Sequence, residues 1–330
     1  MSDRLRIVLL GRMASWCEPE LRKRLDCDYS LVAIPDPRDA GRHAAEIEAA
    51  EVLVGSPLGG TTGPRSPHLK LLHMTGAGLD GLDFNALPPD TRVCNTFHHE
   101  IAMAEYVIMA MLCLARQPQR YDAKLRQGNW DGSCIWGETP VLEELYGQTL
   151  LLIGLGHIAN EIAVRARAFG MWVTGVSRNP GSVARRELYD DIASWEQWRN
   201  QLPHADWVAP CCPLTPETEG MFDGYAISKM KPSARIINIS RGRVIEERAL
   251  YEALKNREIA GAALDVWYRY PASPDETCLP SRFPFHDLDN VLLSPHISAW
   301  TQRTILGRAK EIAQNINRLS RGEPLANVVR

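Results

Sequence analysis

None of the eight cysteines (17, 27, 94, 113, 134, 211, 212 and 278) stands in a C-x-x-C spacing, which argues against a zinc ligand set and against a disulfide-stapled frame. Thiols used this way suit a reducing cytoplasm, where most are expected to be buried. Excess charge is absent too: a net charge of −3 offers nothing to a nucleic-acid backbone or an anionic membrane. The start, Met1-Ser-Asp-Arg, has no apolar h-region, so no secretory leader is expected. The longest membrane-like run, Ile101 to Ala115, is too short for a span and contains Glu105, which makes it a packed helix instead. What remains is a composition of 45% hydrophobic and 23% charged residues, that of an ordinary soluble protein. At 330 residues the chain exceeds the size at which one core stops growing, and two domains are expected.

The most informative stretch runs from Leu150 to Arg178. Thr149 to Ile153 is an apolar run without polar alternation, the pattern of a strand buried on both faces. It ends in Gly154-Leu-Gly156-His157-Ile158-Ala159. A helical pattern follows, with Ile162, Ala163, Ala166 and Phe169 on one face and Glu161, Arg165 and Arg167 off it, and Met171 to Val176 reads as a second strand. In such a βαβ unit the first glycine makes the tight turn and the second lets backbone approach a pyrophosphate. The third small residue brings helix and strand close. Free N–H groups at the helix start add positive potential for phosphate. A plain strand-to-helix turn is the bland alternative, but strand, helix and second strand in register point to a dinucleotide site.

The end of the second strand bears on which dinucleotide. An acid about 20 positions on would take the ribose 2′-hydroxyl of NAD, whereas an Arg accommodates the 2′-phosphate of NADP. Ser177 and Arg178 stand there, with Arg185 and Arg186 beyond, and no carboxylate to repel a phosphate. NADP(H) is the expected cofactor and NAD(H) the alternative.

The same alternation of strand and helix fills the rest of the chain. Strands are predicted at Leu5 to Leu10, Tyr29 to Ile34, Glu51 to Gly55, Leu69 to Met74 and Arg92 to Asn95. Helices are read over Pro19 to Leu25 and, most clearly, residues 42–50. This first domain ends near His98. A long helix over Glu100 to Arg116 leads through a loop region, containing Gly128-Asn-Trp130 and 136–140, to the glycine turn. Further strands are read at Trp207 to Cys211, Arg235 to Ile239, Ala260 to Val266 and Val291 to Leu293, with a helix over Glu246 to Lys255. That gives the second domain six. A last helix, Ala299 to Ser320, has room to return to the first domain. The fold class is therefore α/β, a parallel doubly wound cofactor domain over residues 99–298 and a smaller domain from 1–98 and 299–330.

Several separated blocks carry a family resemblance from about Leu69 to Leu319. They are His73-Met-Thr-Gly-Ala-Gly-Leu-Asp80, Ala104-Glu105, the glycine turn, Cys212-Pro-Leu-Thr-Pro-Glu-Thr218, Asn238-Ile-Ser-Arg-Gly242, Leu264-Asp-Val-Trp267 and Ser294-Pro-His-Ile297. With these in order, the chain resembles the D-isomer-specific 2-hydroxyacid dehydrogenases, the group that includes phosphoglycerate, glyoxylate/hydroxypyruvate, formate and phosphite dehydrogenases. The resemblance implies two Rossmann-like domains, the smaller one flavodoxin-like and binding a small carboxylate substrate, and assembly as a homodimer. The activity implied is hydride transfer between nicotinamide C4 and a D-2-hydroxy acid or 2-oxo acid, most simply reduction of glyoxylate or hydroxypyruvate.

The resemblance also implies roles. Arg241 matches the arginine that holds the substrate carboxylate, a planar bidentate task suited to guanidinium. His296 matches the acid/base, whose unperturbed range lies near neutrality. Asp265 matches a residue near the nicotinamide; a buried aspartate capping a turn is its alternative. Ala77 and Gly78 match the loop whose N–H groups receive the carboxylate. His99 lies where formate dehydrogenases carry a substrate-binding asparagine, and is otherwise a residue opening the helix. Trp300 is placed to wall the pocket, or else to pack. Cofactor contacts are implied for Gly154, Gly156, His157, Ile158, Ser177, Arg178, Cys211, Cys212, Pro213, Thr218, Ile239, Asp265 and His296.

One departure stands out. The family's carboxylate partner of the histidine follows the aspartate by five residues, and here that position is Tyr270, in DVWYRYP. It is counted with Arg241 and His296 among the catalytic positions. A neutral phenol supplies hydrogen bonding but no charge, so weaker acid catalysis of 2-oxo acid reduction is expected. Asp275, Glu276 and Asp287 stand near enough in sequence to replace the missing carboxylate. The same change keeps open a dehydrogenase that oxidises formate, phosphite or an aldehyde hydrate, and, further off, a cofactor-sensing partner without turnover. The first of these points is testable: Tyr270→Glu should move protonation of His296 to higher pH, followed by imidazole NMR, and an unmoved midpoint would count against the reading.

Overall fold

The computed structural model describes residues 4–55, 66–130, 132, 141–273 and 275–330; the residues read above at 1–3, Cys134 and the loop at 136–140 lie outside this set. The chain divides into two compact units, Met1–His99 with Trp300–Arg330, and Glu100–Ala299.

In the first unit five parallel strands, β1 (Leu5–Leu10), β2 (Tyr29–Ile34), β3 (Val52–Gly55), β4 (Leu71–His73) and β5 (Arg92–Cys94), lie in the order β2-β1-β3-β4-β5. This is the flavodoxin-like order. One face is covered by helix Gln302–Arg321, whose Ala309, Ile312, Ala313 and Ile316 pack with Leu5, Ile7, Leu9 and Leu21. The free edge of β5 is closed by the last residues, since Val93 N–H donates to the Arg330 carbonyl (2.9 Å) and Val329 N–H to the Val93 carbonyl (2.8 Å).

The second unit holds β6 (Thr149–Ile153), β7 (Trp172–Ser177), β8 (Asp191–Ser194), β9 (Trp207–Pro210), β10 (Arg235–Asn238), β11 (Gly261–Leu264) and β12 (Val291–Leu293), in the order β12-β11-β10-β9-β6-β7-β8. All pairs are parallel. The chain leaves β6 outward to β7 and β8, then crosses to β9, so the order reverses between β6 and β9. That switch is where an open α/β sheet leaves a crevice. Helix Glu100–Arg116 covers one face with Ala104, Val107, Ala110 and Met111, against Ile162, Ala163 and Ala166 of helix His157–Ala168.

Several expectations need correction. The second sheet has seven strands, not six: β8 (DIAS) is a polar edge strand, and an edge needs apolar residues on little of its surface. The helix expected over 42–50 is confined to Ala44–Glu48, preceded by a 3₁₀ turn from Pro37 that the Asp36 side chain caps. The segment after Arg116 is not all loop. Gln117, at φ 48°, breaks the long helix and Pro118–Leu125 begins a new one. Phe169 belongs not to the buried face of its helix but to its C-cap, where it is exposed. Among the described residues no single helix is long and apolar enough to cross a membrane.

His73, buried at the end of β4, carries a pH-dependent share of stability. Its Nε2 accepts from Asn315 Nδ2 (2.9 Å) and its Nδ1–H donates to the Met74 carbonyl (3.2 Å), so the neutral ring is satisfied. Burial pushes its pKa down to about 4, partly offset by the Met74 carbonyl. An unfolded histidine takes a proton below about 6.5, while the folded one does not until about 4. Stability from this group is therefore complete above pH 6.5 and is lost as pH falls towards 4, by about 3 kcal/mol. Urea denaturation of the wild type at pH 7.5 and 4.5 should show this loss, and His73→Gln should shrink the difference.

Candidate active site

Each residue singled out in the second unit stands at or beyond the C-terminal end of a strand. Gly154 to Ile158 follow β6, Ser177 ends β7 and Arg178 follows it. Cys211 to Thr218 follow β9, Ile239 and Arg241 follow β10, Asp265 follows β11, and His296 follows β12. Parallel strands direct all these segments to one edge of one sheet, which is why positions so far apart in sequence share a side.

At the switch, Gly154 has φ 95°, and a Cβ there would come within 3.1 Å of the backbone of Cys211 and Cys212. Only glycine lets the two loops approach so closely. A Cβ on Gly156, by contrast, would meet nothing within 4 Å. Gly156 caps the 12-residue helix His157–Ala168, which has no side-chain cap and no acid in its first turn. Ala159 is buried against the sheet, and Ile158 is half-buried in the same cluster. An uncapped, positively polarised helix start facing open space fits the pyrophosphate of a dinucleotide. At the tip of β7, Ser177 Oγ accepts from Asn179 N–H (3.2 Å) and Arg178 is exposed. Arg185 lies 3.9 Å from Glu161, and Arg186 donates to the Tyr189 carbonyl (2.5 Å). The two arginines are thus engaged locally.

The segment after β9 is held by Thr218, which is buried. Its hydroxyl donates to the Pro213 carbonyl (2.6 Å) and accepts from Thr215 N–H (2.8 Å), so it shapes the turn that presents the exposed Pro213. Burial pushes the Cys212 thiol up to about 11 and raises Cys211 further. Both are protonated packing groups rather than nucleophiles.

Arg241 is presented by a turn that Asn238 builds. The buried amide donates to the Arg241 carbonyl (2.9 Å) and accepts from Ser240 N–H (3.1 Å) and Ser240 Oγ (2.9 Å). The Arg241 guanidinium donates to the Ser240 carbonyl (2.7 Å). Gly242 follows because a Cβ there would run into the Trp267 backbone. Ile239 is buried beneath.

His296 lies in a turn clamped by Asp265. This carboxylate is wholly buried; Oδ1 accepts from Ser294 Oγ (2.6 Å) and Ile297 N–H (2.8 Å), and Oδ2 from Ser298 N–H (2.9 Å). Ser294 in turn accepts from Tyr106 (2.5 Å), and Trp267 Nε1–H donates to the Ser294 carbonyl (2.8 Å). The bonds on either side hold His296 at φ 58°, a left-handed conformation that a non-glycine residue adopts only under such constraint. Its Nδ1 lies 3.1 Å from Tyr270 Oη, which accepts from Trp267 N–H, also at 3.1 Å. Tyr270 therefore occupies the partner position itself. Glu276 is turned to Ala272 N–H (2.6 Å) and Arg269 (3.3 Å), Asp287 stands 3.6 Å from His286, and Asp275 is exposed.

Sequence reasoning passed over Trp267, Ser294, Tyr106 and Asn238 as positioning groups. The signal was present for three: Trp267, Ser294 and Asn238 lie inside motifs quoted above. Asp265, carried over as a cofactor contact, is buried and caps this turn.

The remaining candidates belong to the first unit. Ala77 and Gly78 are half-buried in the loop after β4, whose carbonyls are held by Thr96 N–H on Gly76 (3.1 Å) and the Asn95 amide on Ala77 (3.2 Å). His99 is buried, its ring stacked on Phe97 with centroids 6.3 Å apart. Trp300 is 38% exposed and meets Trp16 edge-on at 5.3 Å.

Residues 108–298 match the family model described as D-isomer specific 2-hydroxyacid dehydrogenase, NAD binding domain. A D-3-phosphoglycerate dehydrogenase of Methanocaldococcus jannaschii is 35% identical over 301 residues, covering 86% of this chain and 52% of that protein. A glyoxylate reductase of Thermococcus litoralis is 31% identical over 317 residues, covering 93% and 92%. The crystal structure of a D-isomer specific 2-hydroxyacid dehydrogenase family protein from Aeromonas salmonicida superposes with a TM-score of 0.81 at 26% identity, covering 100% of this chain and 99% of that one. The chain spans about half the length of the phosphoglycerate dehydrogenases it matches.

Asp265→Asn keeps the shape but puts an amide N–H against donors that had a carboxylate. The expected outcome is a loss of about 2–3 kcal/mol in stability, with faster hydrogen exchange at the Ile297 and Ser298 amides. Unchanged exchange there would show that the clamp does not hold the turn.

Proposed function

Because the chain belongs to the D-isomer-specific 2-hydroxyacid dehydrogenase family, we propose that it is an oxidoreductase that reduces a small 2-oxo acid, glyoxylate or hydroxypyruvate being the simplest, at the expense of NADPH. The observation that carries this reading is the grouping of Arg241, Tyr270 and His296 on three adjacent strand ends, with the Arg241 charge acting on the Tyr270 hydroxyl. A fixed cation beside a histidine acid/base suits a substrate with a carboxylate next to a carbonyl.

When bound, the nicotinamide supplies the hydride at C4. The helix start at Gly156 and His157 would hold the pyrophosphate, the loops at Cys211 to Pro213 and Ile239 would flank the rest, and Arg178 would meet the 2′-phosphate. Arg241 pairs with the substrate carboxylate, fixing the carbonyl towards His296 and drawing electron density from it. His296 Nε2 then delivers the proton to the oxygen. Assembly as a homodimer rests on the resemblance alone.

The decisive assay is loss of reduced-nicotinamide absorbance with glyoxylate, hydroxypyruvate, pyruvate and phenylpyruvate, NADPH and NADH in parallel. Turnover with an NADPH preference, cut by roughly tenfold or more in Arg178→Asp, supports the proposal. Cofactor binding with silence across the panel overturns it, in favour of oxidation of formate, phosphite or an aldehyde hydrate, or of a cofactor sensor.

A further inference from the structure

The Tyr270 hydroxyl does more than stand where a carboxylate is missing. Its oxygen accepts the Trp267 backbone N–H (3.1 Å) and lies 3.1 Å from His296 Nδ1, within reach of a hydrogen bond from its own O–H. The Trp267 amide has no lone pair to offer, so the direction of the first bond is fixed, and the hydroxyl keeps its own proton to donate to Nδ1. A hydroxyl donating to Nδ1 makes Nδ1 the acceptor of a neutral imidazole and puts the ring proton on Nε2. A carboxylate would do the reverse, accepting from Nδ1–H and stabilising an imidazolium.

We propose that Tyr270 is the proton source of the site, acting through His296: as Nε2 gives its proton to the substrate oxygen, Nδ1 takes the proton of the Tyr270 hydroxyl. The inference rests on the reading of the chain as a 2-oxo acid reductase. The step balances without an imidazolium. Hydride adds to the carbonyl carbon and the oxygen becomes an alkoxide; the Nε2–H bond breaks as O–H forms; Oη–H breaks as Nδ1–H forms; the imidazole ends neutral and Tyr270 ends as phenolate. A phenol, with an ordinary pKa near 10, is acid enough to protonate an alkoxide.

The charged groups facing the hydroxyl are Arg241 and Asp265. Burial raises the pKa of the phenol first; the Trp267 N–H and Arg241 lower it, and Asp265 raises it. The hydroxyl therefore keeps its proton through neutral pH, while the Trp267 N–H and Arg241 remain to receive the transient phenolate. The residue is 49% exposed, so water can restore the proton after turnover.

Three readouts test this on the full chain. Imidazole nitrogen NMR without cofactor should show His296 protonated on Nε2 in the wild type and lose that preference in Tyr270→Phe. Reduction of the best 2-oxo acid should give a curved proton inventory in mixed light and heavy water, two protons moving together, and activity should persist above neutral pH. In Tyr270→Phe, kcat should fall by on the order of 10², the inventory should become linear, and activity should decline as pH rises through neutrality because an imidazolium is then required. Replacing Tyr270 by a fluorinated, more acidic tyrosine should move the alkaline limb of the wild type to lower pH.

A neutral wild-type ring protonated on Nδ1 overturns the relay whatever the assays give. So does a linear wild-type inventory, or a Tyr270→Phe profile identical to the wild type. Absence of turnover with every 2-oxo acid, while the Nε2–H ring persists, overturns the proposed function instead and removes the step that the relay would serve.

Discussion

A fully buried carboxylate is costly unless its charge is met by donors of fixed geometry, and Asp265 meets that condition entirely from one turn. Ser294, Ile297 and Ser298 bracket His296, so satisfying the carboxylate and fixing the histidine are one event. The cost of holding a non-glycine residue at φ 58° is of order 1–3 kcal/mol. Charge-assisted hydrogen bonds in a buried site are of the size to offset it. The Tyr106 hydroxyl extends the same network back to helix Glu100–Arg116, which gives that helix a stake in the site beyond covering the sheet.

Glycine does the complementary work, letting loops approach where donors hold them apart elsewhere. Gly154 admits the backbone of Cys211 and Cys212 at the point where strand order reverses, and Gly242 admits the backbone of Trp267 behind Arg241. At both places a methyl group would have to push one strand-end loop away from its neighbour, and the strands below are too tightly packed to follow. The open space over Gly156 differs in kind. There the missing side chain leaves room above the helix start, which is what an approaching phosphate needs.

Most strands were legible because they are short apolar runs, buried on both faces, bounded by glycine, proline or charge; β6, β10 and β11 are of this sort. β8 was not, since an edge strand with the sequence DIAS carries no such run. The helix at Pro118–Leu125 was hidden by its polar composition and by a left-handed Gln117 that no pattern announces. In the site, the motifs located Arg241, Asp265 and His296 at their strand ends, yet they could not say what Asp265 touches. Its three donors lie 29 to 33 residues away and come to it only because β11 and β12 are neighbours. Likewise the sequence shows that Tyr270 brings no charge, but its hydroxyl is held by the Trp267 amide, a backbone group invisible in any residue pattern.

Trp267 explains why these parts cohere. It is buried, and each of its groups is committed to a different loop: its backbone receives Gly242 behind Arg241, its amide fixes the Tyr270 hydroxyl, and its indole N–H holds the Ser294 carbonyl before His296. Moving any one of the three chemical groups relative to the others therefore strains the same residue. The proposed reduction of a carbonyl between an arginine and a histidine needs those two groups held to fractions of an ångström in mutual position. Three loops from three strands would not supply that through independent contacts. A shared, rigid indole, packed against Phe285 at 6.3 Å, couples them into one unit. On this argument the tryptophan of the DVW block belongs to the chemistry as much as the aspartate beside it, although its indole serves the site only as scaffold.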